Sequence, residues 1–261
     1  MTAVLQVAMF DRLEVEVYPD NAALGQAAAE RAMALLREAL AERGQANVIL
    51  ATGNSQLTFY AALREGPDLD WGRVRLFHMD EYRGIRADHP ASFRRYLHEK
   101  IVDVVRPAAF FGVEGDAPNA EQECRRYEAL LRANPADLCC LGIGENGHLA
   151  FNDPPFADFA DPAWVRVVRL DEASRRQQVG EGHFATLADV PTQAITLTIP
   201  ALLAARQVLA IVPEKRKALA VKTALLGPVS AACPASILRT AAHARLYLDA
   251  ESFSLVGEPK L

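Results

Sequence analysis

The 261-residue chain has no basic run of the kind that follows a phosphate backbone, no C-x-x-C pair and no apolar run approaching the roughly eighteen residues of a membrane span. Its net charge of −5 argues against binding along a nucleic-acid backbone, which needs clustered lysine and arginine. The opening segment MTAVLQVAMFDRLEVEV lacks the basic start and long apolar core of a secretion signal. We therefore expect a cytoplasmic protein that binds neither nucleic acid nor membranes.

Cysteine is also scarce, and its spacing indicates no disulfide framework. The four residues are Cys124, Cys139, Cys140 and Cys233. Two of them are neighbours inside an apolar stretch that reads as a strand, so their side chains should point to opposite faces. We interpret all four as buried, reduced thiols, with a metal site or a disulfide as the alternative.

What the chain does have is a regular alternation of apolar runs and helical patterns. Hydrophobic residues make up 51% of it, enough for one large α/β domain over 1–261, or two small ones. The predicted strands are 13–19, 47–52, 74–80, 137–144, 194–199, 207–213 and 244–249. The predicted helices are 21–43, 56–65, 90–104, 119–133, 200–206 and 215–227. This alternation predicts a mostly parallel sheet with helices on both faces.

Segment 154–190 is the least regular part of the chain, being rich in proline and then in charge. We predict a mobile lid over a site there. In a parallel sheet, ligands bind beyond the carboxyl ends of the strands. The loops that follow the predicted strands should therefore form one surface.

The first such loop is ATGNSQ, between a predicted strand and a predicted helix. Gly53 permits a tight turn, and the helix that follows offers unpaired N–H groups that suit a phosphate. The side chains that offer further donors are those of Thr52, Asn54, Ser55 and Gln56. The loop is neither a P-loop nor a dinucleotide fingerprint, and an ordinary capped turn is the alternative.

The second loop is FHMDEYRG, in which Asp80 and Glu81 follow a strand that should be buried. A carboxylate shielded from water has a raised pKa and suits general-base catalysis. The alternative is a helix cap, or an ion pair with Arg83 or Arg86.

The third loop is LGIGENGHLAFNDPP, whose glycines, Gly147 among them, allow a ligand close to the backbone. His148 can exchange protons near neutral pH. Asn146 and Asp153 are expected to fix its tautomer through a hydrogen bond to one ring nitrogen. This pattern favours catalysis over a packing role.

A fourth element is the cluster Lys215, Arg216 and Lys217 at the start of a predicted helix. Cations at a helix N-terminus oppose the helix dipole, so the cluster suggests a second purpose, namely binding an anion. A solvated group of charges is the alternative.

Four stretches of the chain resemble sequence blocks of a known family. FHMDEYRGIRADHPASFRRYL, LGIGENGHLAFNDPP and KALAVKTALLG resemble the three main blocks of glucosamine-6-phosphate deaminases, in the same order, and ATGNSQLTFYAAL resembles their phosphate loop. The similarity runs from about residue 20 to residue 250. The 6-phosphogluconolactonases of the same superfamily share a G-x-G-x-D-G-H block, but the A-F-N continuation is closer to the deaminases.

The resemblance implies a three-layer αβα, Rossmann-like fold and conversion of glucosamine 6-phosphate to fructose 6-phosphate and ammonia, with no cofactor and no metal. It implies that Asp80 is the base that takes the proton from carbon 2. His148 would then shuttle a proton at the ring oxygen, with Asn146 and Asp153 orienting it. We expect the sugar phosphate to be bound by Thr52, Gly53, Asn54, Ser55, Gln56, Glu81, Gly147, Lys217 and Arg175.

The chain departs from the family pattern at several positions. Asn146 stands where many deaminases have Asp, and Asp153 stands where Glu is usual. The phosphate-binding arginine of the family falls at Gln178 to Gly180. Either the earlier Arg175 or Arg176 replaces it, or the distal group of the substrate differs from phosphate. Few residues follow the last predicted strand, and we expect no allosteric control of the kind found in longer members.

Two other functions stay open. In a sugar-phosphate lactonase, His148 would activate water. In a non-catalytic sugar-phosphate sensor, the base or the histidine would be missing, and both are present. The sugar epimer and the oligomeric state, including a homo-oligomer, are left open by the sequence.

Overall fold

The computed structural model describes residues 3–66, 69–154, 156–180 and 182–257. Its strands are β1 Gln6–Phe10, β2 Leu13–Tyr18, β3 Ala46–Leu50, β4 Val74–His78, β5 Asp80–Tyr82, β6 Ala109–Phe111, β7 Leu138–Leu141, β8 Val165–Arg169, β9 Gln193–Leu197, β10 Gln207–Val212 and β11 Ala244–Asp249. Eight of them form the central sheet, in the order β1-β2-β11-β10-β7-β3-β4-β6. Every neighbouring pair in this sheet is parallel except β1 and β2.

The helices are α1 Asn21–Arg43, α2 Leu57–Glu65, α3 Phe93–Leu97, α4 Asp103–Val105, α5 Ala120–Ala133, α6 Glu172–Gly180, α7 Ile199–Leu203, α8 Ala218–Leu226 and α9 Ala250–Phe253. α1 begins where sequence reasoning expected it, because the Asp20 side chain accepts a hydrogen bond from the N–H of Ala23. It ends at Gly44, whose left-handed φ of 74° closes the last turn. None of the described helices has both the length and the apolar composition for crossing a membrane.

The sheet is buried on both faces, which explains why its central strands are apolar at nearly every position. In β3, Val48 and Leu50 pack into a core with α1 and α2, whereas Ile49 packs into the opposite core with α5 and α8. Cys139 and Cys140 divide between the same two cores, as predicted. All four cysteines are buried and carry free thiols. The predicted three-layer αβα fold is confirmed.

The chain changes direction across the sheet between β3 and β7. It runs outward from β3 through β4 to β6, then returns to β7 and runs the other way through β10 to β11. Leu50 lies in register with His78 of β4 and with Cys140 of β7, so the loops that follow these strands start at one edge. A crevice opens at such a switch point, and the three predicted functional loops meet there.

A second, antiparallel sheet of β5, β9 and β8 was not predicted. Strands β1, β5, β6 and β8 were all missed. β5 and β6 have only three residues each, and β1 and β8 are partly exposed strands at the edges of their sheets. The expectation of a mobile lid over 154–190 stays a prediction, but the described part of that segment is more regular than its sequence suggested. It contains β8 and α6, and its Leu170 and Phe184 are buried beside Tyr82. Residues 155 and 181 of the predicted lid lie outside the described residues.

Candidate active site

A cleft lies at the carboxyl ends of the central strands, and it brings together most of the predicted chemistry. The predicted residues that line it are Thr52, Gly53, Ser55, Asp80, His148 and Lys217. They come from four segments that follow separate strands of the central sheet. Asp80 and His148 therefore face the same small space beside the buried cation of Lys217.

Asp80 is positioned where β4 gives way to β5. The hydroxyl of Tyr127 accepts from the N–H of His78 at 2.8 Å and donates to its carbonyl at 2.7 Å, which anchors the end of β4. The Asp80 side chain is 5% exposed, and its Oδ1 has no hydrogen-bond partner among the described residues. Burial, with a smaller contribution from Glu81, raises the pKa of Asp80 to about 8. Such a carboxylate is a proton acceptor suited to neutral or mildly alkaline pH.

Glu81 lies outside the cleft, so the expectation that it contacts substrate was wrong. Neighbouring side chains in a strand point to opposite faces, and this one is fully buried behind Asp80. Its carboxylate accepts from Ser92 Oγ at 2.8 Å and from the N–H groups of Phe93 at 3.1 Å and Arg94 at 3.0 Å. Burial raises the pKa of Glu81 against these hydrogen bonds. The alternative interpretation, a helix cap, is the one the structure supports, at the start of α3.

His148 lies directly over Gly144. A Cβ atom at position 144 would fall 2.2 Å from the ring carbon Cε1, so only glycine leaves room for the imidazole. Nδ1 of His148 lies 3.1 Å from Oδ1 of Asp153. A carboxylate at that nitrogen favours the tautomer with the proton on Nδ1, which leaves Nε2 as the nitrogen that can accept a proton.

Asp153 is 1% exposed and is the most heavily hydrogen-bonded member of the group. Burial opposes its ionisation, but hydrogen bonds from His148, Ser174 and Asn146 together lower the pKa of Asp153 to about 2. Its second oxygen accepts from the N–H of Asp171 at 3.2 Å. The side chain therefore stays charged across the physiological pH range.

Asn146 acts on His148 indirectly, which corrects the prediction that it bonds the imidazole. Its Oδ1 accepts from the backbone N–H of His148 at 3.1 Å, and its Nδ2 donates to Oδ1 of Asp153 at 3.2 Å. Asn146 thus shapes the loop and orients the carboxylate that contacts the ring.

Sequence reasoning missed Ser174, which is 2% exposed in α6. Its Oγ lies 3.1 Å from Nδ1 of His148 and donates a short hydrogen bond to Asp153. The same helix places Gln177 and Gln178 on the cleft wall. The spacing of Ser174, Gln177 and Gln178 could have indicated this, because residues three and four apart share one face of a helix. It was overlooked because this segment read as an irregular lid.

The predicted phosphate loop is partly in place. Gly53 adopts a φ of 107° ahead of the 3-10 turn Asn54–Gln56 that leads into α2, a conformation that favours glycine. Gln56 is fully buried and donates to the carbonyl of Ile211 at 3.3 Å. It therefore ties the loop to β10, and neither Asn54 nor Gln56 is among the described residues that line the cleft.

A second strand–turn–helix unit faces the first. Lys217 ends the 3-10 turn Lys215–Lys217 between β10 and α8, and it is 3% exposed. Glu214 ahead of this turn has a φ of 81°, close in backbone shape to Gly53. Arg216 forms ion pairs with Glu145 at 3.2 Å and with Glu214. These pairs place the charges of this turn at the rim of the cleft.

Two further predicted binding residues have structural roles. Arg175 donates to the carbonyls of Leu187 at 2.6 Å and Val190 at 2.8 Å, so it tethers α6 to the chain that follows. Gly147 has a φ of 85°, and a Cβ there would lie 2.8 Å from the Cys233 sulfur. Neither Arg175 nor Arg176 is among the described residues that line the cleft, and Arg176 is exposed and pairs with Glu172. The structure therefore does not support the expectation that one of them replaces the family arginine.

The crevice at the switch point defines an α/β protein whose cleft holds a buried carboxylate, a carboxylate-paired histidine and a buried lysine. Residues 19–248 match the family model described as glucosamine-6-phosphate isomerases/6-phosphogluconolactonase. The chain belongs to this family, as its motifs predicted.

Several known proteins are similar to this chain over most of its length. Glucosamine-6-phosphate deaminases from Bacillus thuringiensis (strain Al Hakam) and Bacillus anthracis (strain A0248) are each 36% identical over 230 residues, covering 88% of this chain and 86% of theirs. A solved monomeric glucosamine-6-phosphate deaminase aligns with a TM-score of 0.85 at 30% identity, over 92% of this chain and 99% of its own. A 6-phosphogluconolactonase from Shewanella baltica shares the fold, with a TM-score of 0.74 at 22% identity, over 93% of this chain and 99% of its own.

Proposed function

We propose that this protein is an amino-sugar-phosphate deaminase that converts glucosamine 6-phosphate and water into fructose 6-phosphate and ammonia. One observation carries the proposal, namely that a buried carboxylate, Asp80, and a carboxylate-paired imidazole, His148, line the same cleft as the ammonium of Lys217. The names of the relatives support the same reaction.

The first chemical step is ring opening by His148. Nε2 takes the proton of the anomeric hydroxyl, and the imidazolium returns a proton to the ring oxygen as its bond to carbon 1 breaks. The product is the open-chain aldehyde. Asp153 stabilises the imidazolium that forms in between, because its charge lies 3.1 Å from Nδ1.

The second step is proton transfer from carbon 2 to carbon 1 by Asp80. The carboxylate takes the proton from carbon 2, the C–H electrons form a double bond to carbon 1, and the aldehyde oxygen takes the proton that the substrate ammonium gives up. The resulting enolamine then receives the proton of Asp80 at carbon 1. A pKa near 8 makes this carboxylate a stronger base than an exposed one, and its acid form can return the proton.

The last step is hydrolysis at carbon 2, where the nitrogen is now a double-bonded iminium. Water adds to carbon 2, and ammonia leaves as the carbonyl forms. The open-chain product is fructose 6-phosphate.

The phosphate group supplies binding energy away from the reacting carbons. Lys217, Ser55 and the N–H groups around the turn after Gly53 are the groups proposed to hold it. The buried lysine contributes the charge, and the turn contributes directional donors.

Lactone hydrolysis is the competing reaction within the family. It requires water activation by a histidine but no second base at a carbon–hydrogen bond. Asp80 lines the same cleft as His148 and has a raised pKa. Lactone hydrolysis leaves this carboxylate without a role, whereas the isomerising deamination requires it as a base.

The test is an assay of the purified protein for ammonia release from a panel of amino-sugar phosphates and their unphosphorylated parents, beside hydrolysis of 6-phosphogluconolactone. We expect ammonia from glucosamine 6-phosphate and little from glucosamine. Lactone hydrolysis without ammonia release, or tight sugar-phosphate binding without any turnover, would refute the proposal.

A further inference from the structure

Gln178 presents its side chain to the cleft from the last turns of α6. It lines the cleft together with Asp80, His148 and Lys217, and only 7% of its surface is exposed. Its Oε1 is buried, and no hydrogen-bond partner for it occurs in the described ranges. The role assigned above to Asp80, His148 and Lys217 leaves this amide unused.

A buried amide oxygen without a partner destabilises a folded protein, because the oxygen has lost its bonds to water. Such groups are retained where a ligand completes the hydrogen bond. The geometry therefore indicates that the ligand of this cleft carries a donor that faces Gln178.

The chemistry of the amide selects the kind of donor. A hydroxyl both donates and accepts, so it matches a carboxamide whichever way its oxygen and nitrogen are placed. A phosphate dianion offers only acceptors, and it would repel the amide oxygen. Lys217 is the one Lys or Arg side chain among the described residues of the cleft lining, so the charge of the ligand is matched there.

We propose that Gln178 is a specificity-determining residue whose carboxamide binds a hydroxyl of the sugar, while Lys217 binds the phosphate. This inference rests on the proposed function, since it assumes a polyhydroxylated ligand. It defines the ligand class more closely, as a sugar phosphate that the protein recognises by its free hydroxyls as well as by its phosphate.

The helical turn that carries Gln178 is held in place before substrate arrives. Ser174, one turn earlier on the same face of α6, is bonded to His148 and Asp153. Gln177 accepts from the N–H of Glu145 at 3.1 Å, and the carbonyl of Gln178 accepts from the N–H of His183 at 3.1 Å. A preorganised group discriminates better, because little freedom is lost on binding.

The inference is tested by binding, so that it does not depend on turnover. In the Asp80→Asn background, calorimetry measures Kd for glucosamine 6-phosphate and for its 3-deoxy and 4-deoxy analogues, with and without Gln178→Met. In the protein that retains Gln178, we expect one deoxy analogue to bind about 5- to 100-fold more weakly than glucosamine 6-phosphate. This is the loss expected for one buried hydrogen bond. With methionine, that analogue and its parent should bind within about threefold of each other.

The matched control is Arg176→Met, on the exposed face of the same helix, which should keep the full penalty for the deoxy analogue. Gln178→Glu retains an acceptor oxygen and should also keep the selectivity, which covers the case in which the methionine variant fails to fold. Deoxy penalties that are unchanged by Gln178→Met, or selectivity that is lost in Gln178→Glu, would overturn the proposal. Ammonia release by the wild type independently reports the proposed function.

Discussion

The hydroxyl oxygen of Ser174 lies 3.1 Å from Nδ1 of His148, although the two residues belong to different parts of the fold. His148 is delivered by the loop after β7, whereas Ser174 lies in α6, beside the small antiparallel sheet. The same hydroxyl donates to Asp153 and accepts from Asn146 at 3.4 Å. The position of α6 is therefore coupled to the orientation of the histidine–carboxylate pair.

Replacing Ser174 with alanine should slow ring opening. The substitution removes a buried hydrogen bond from Asp153, typically about 1–2 kcal/mol, so we expect kcat for the closed-ring substrate to fall about 5- to 30-fold with little change in KM. Steady-state kinetics of ammonia release measures this. Arg176→Ala, on the exposed side of the same helix, is the control and should keep normal kcat. A rise in KM alone would show that Ser174 positions substrate and not His148.

The pH profile of the free enzyme should have an ascending limb set by Asp80. Its raised pKa of about 8 means that the carboxylate is protonated, and inactive as a base, below that pH. We expect kcat/KM to rise with pH to a midpoint near 8. The limb for kcat should lie at lower pH, because the bound substrate ammonium favours the carboxylate. A kcat/KM profile flat between pH 6 and 9 would contradict a proton-accepting role for this side chain.

Asp80→Asn should abolish turnover and stabilise the fold, increasingly so as the pH rises. The folded pKa of Asp80 lies above its unfolded value of about 4, so between about pH 4 and pH 8 the native state binds the extra proton. The wild type therefore loses stability as pH increases through this window, and the asparagine variant does not. Thermal melts should show a Tm gain for the variant that is larger at pH 8 than at pH 5. Asp70→Asn, at an exposed position, should show no such pH-dependent gain.

Gly144→Ala should disable the histidine without unfolding the protein. The new methyl group would lie 2.2 Å from Cε1 of His148, so the ring must leave its place beside Asp153. We expect kcat to fall at least about 100-fold, the typical contribution of a positioned acid–base group. Gly180→Ala is the control, because a Cβ there meets open space. Near-normal kcat in Gly144→Ala would mean that the observed ring position is not the catalytic one.

Lys217→Met should weaken binding of phosphorylated substrates selectively. The substitution removes the buried charge but keeps most of the length of the side chain, so KM for glucosamine 6-phosphate should rise at least about tenfold. Lys222→Met, at an exposed position of α8, should leave KM unchanged. The decisive comparison uses unphosphorylated glucosamine, whose slow turnover should respond equally little to both changes. An equal loss on both sugars in Lys217→Met would remove the lysine from the phosphate site.

Much of the fold followed from local patterns. The alternation of apolar runs with capped helices identified the central parallel strands and α1, because burial on both faces demands apolar residues at successive positions. β1 and β8 were not predicted, because an edge strand and a strand of a small sheet are only half buried. The cleft was also foreseeable, because parallel strands deliver their following loops to one edge.

The sequence by itself determined which residue types stand at the ends of the central strands, and so the chemistry available to the cleft: Asp80, His148 and Lys217. These positions depend on strand and loop order, which local patterns record. Only the tertiary structure decided that Glu81 turns inward to cap α3 and that Arg175 tethers α6. It also decided that Ser174 contacts the His148–Asp153 pair and that Gln178 lines the cleft. Those outcomes depend on contacts between segments far apart in the chain, where burial and hydrogen-bond partners, and not the residue type, set the role of a side chain.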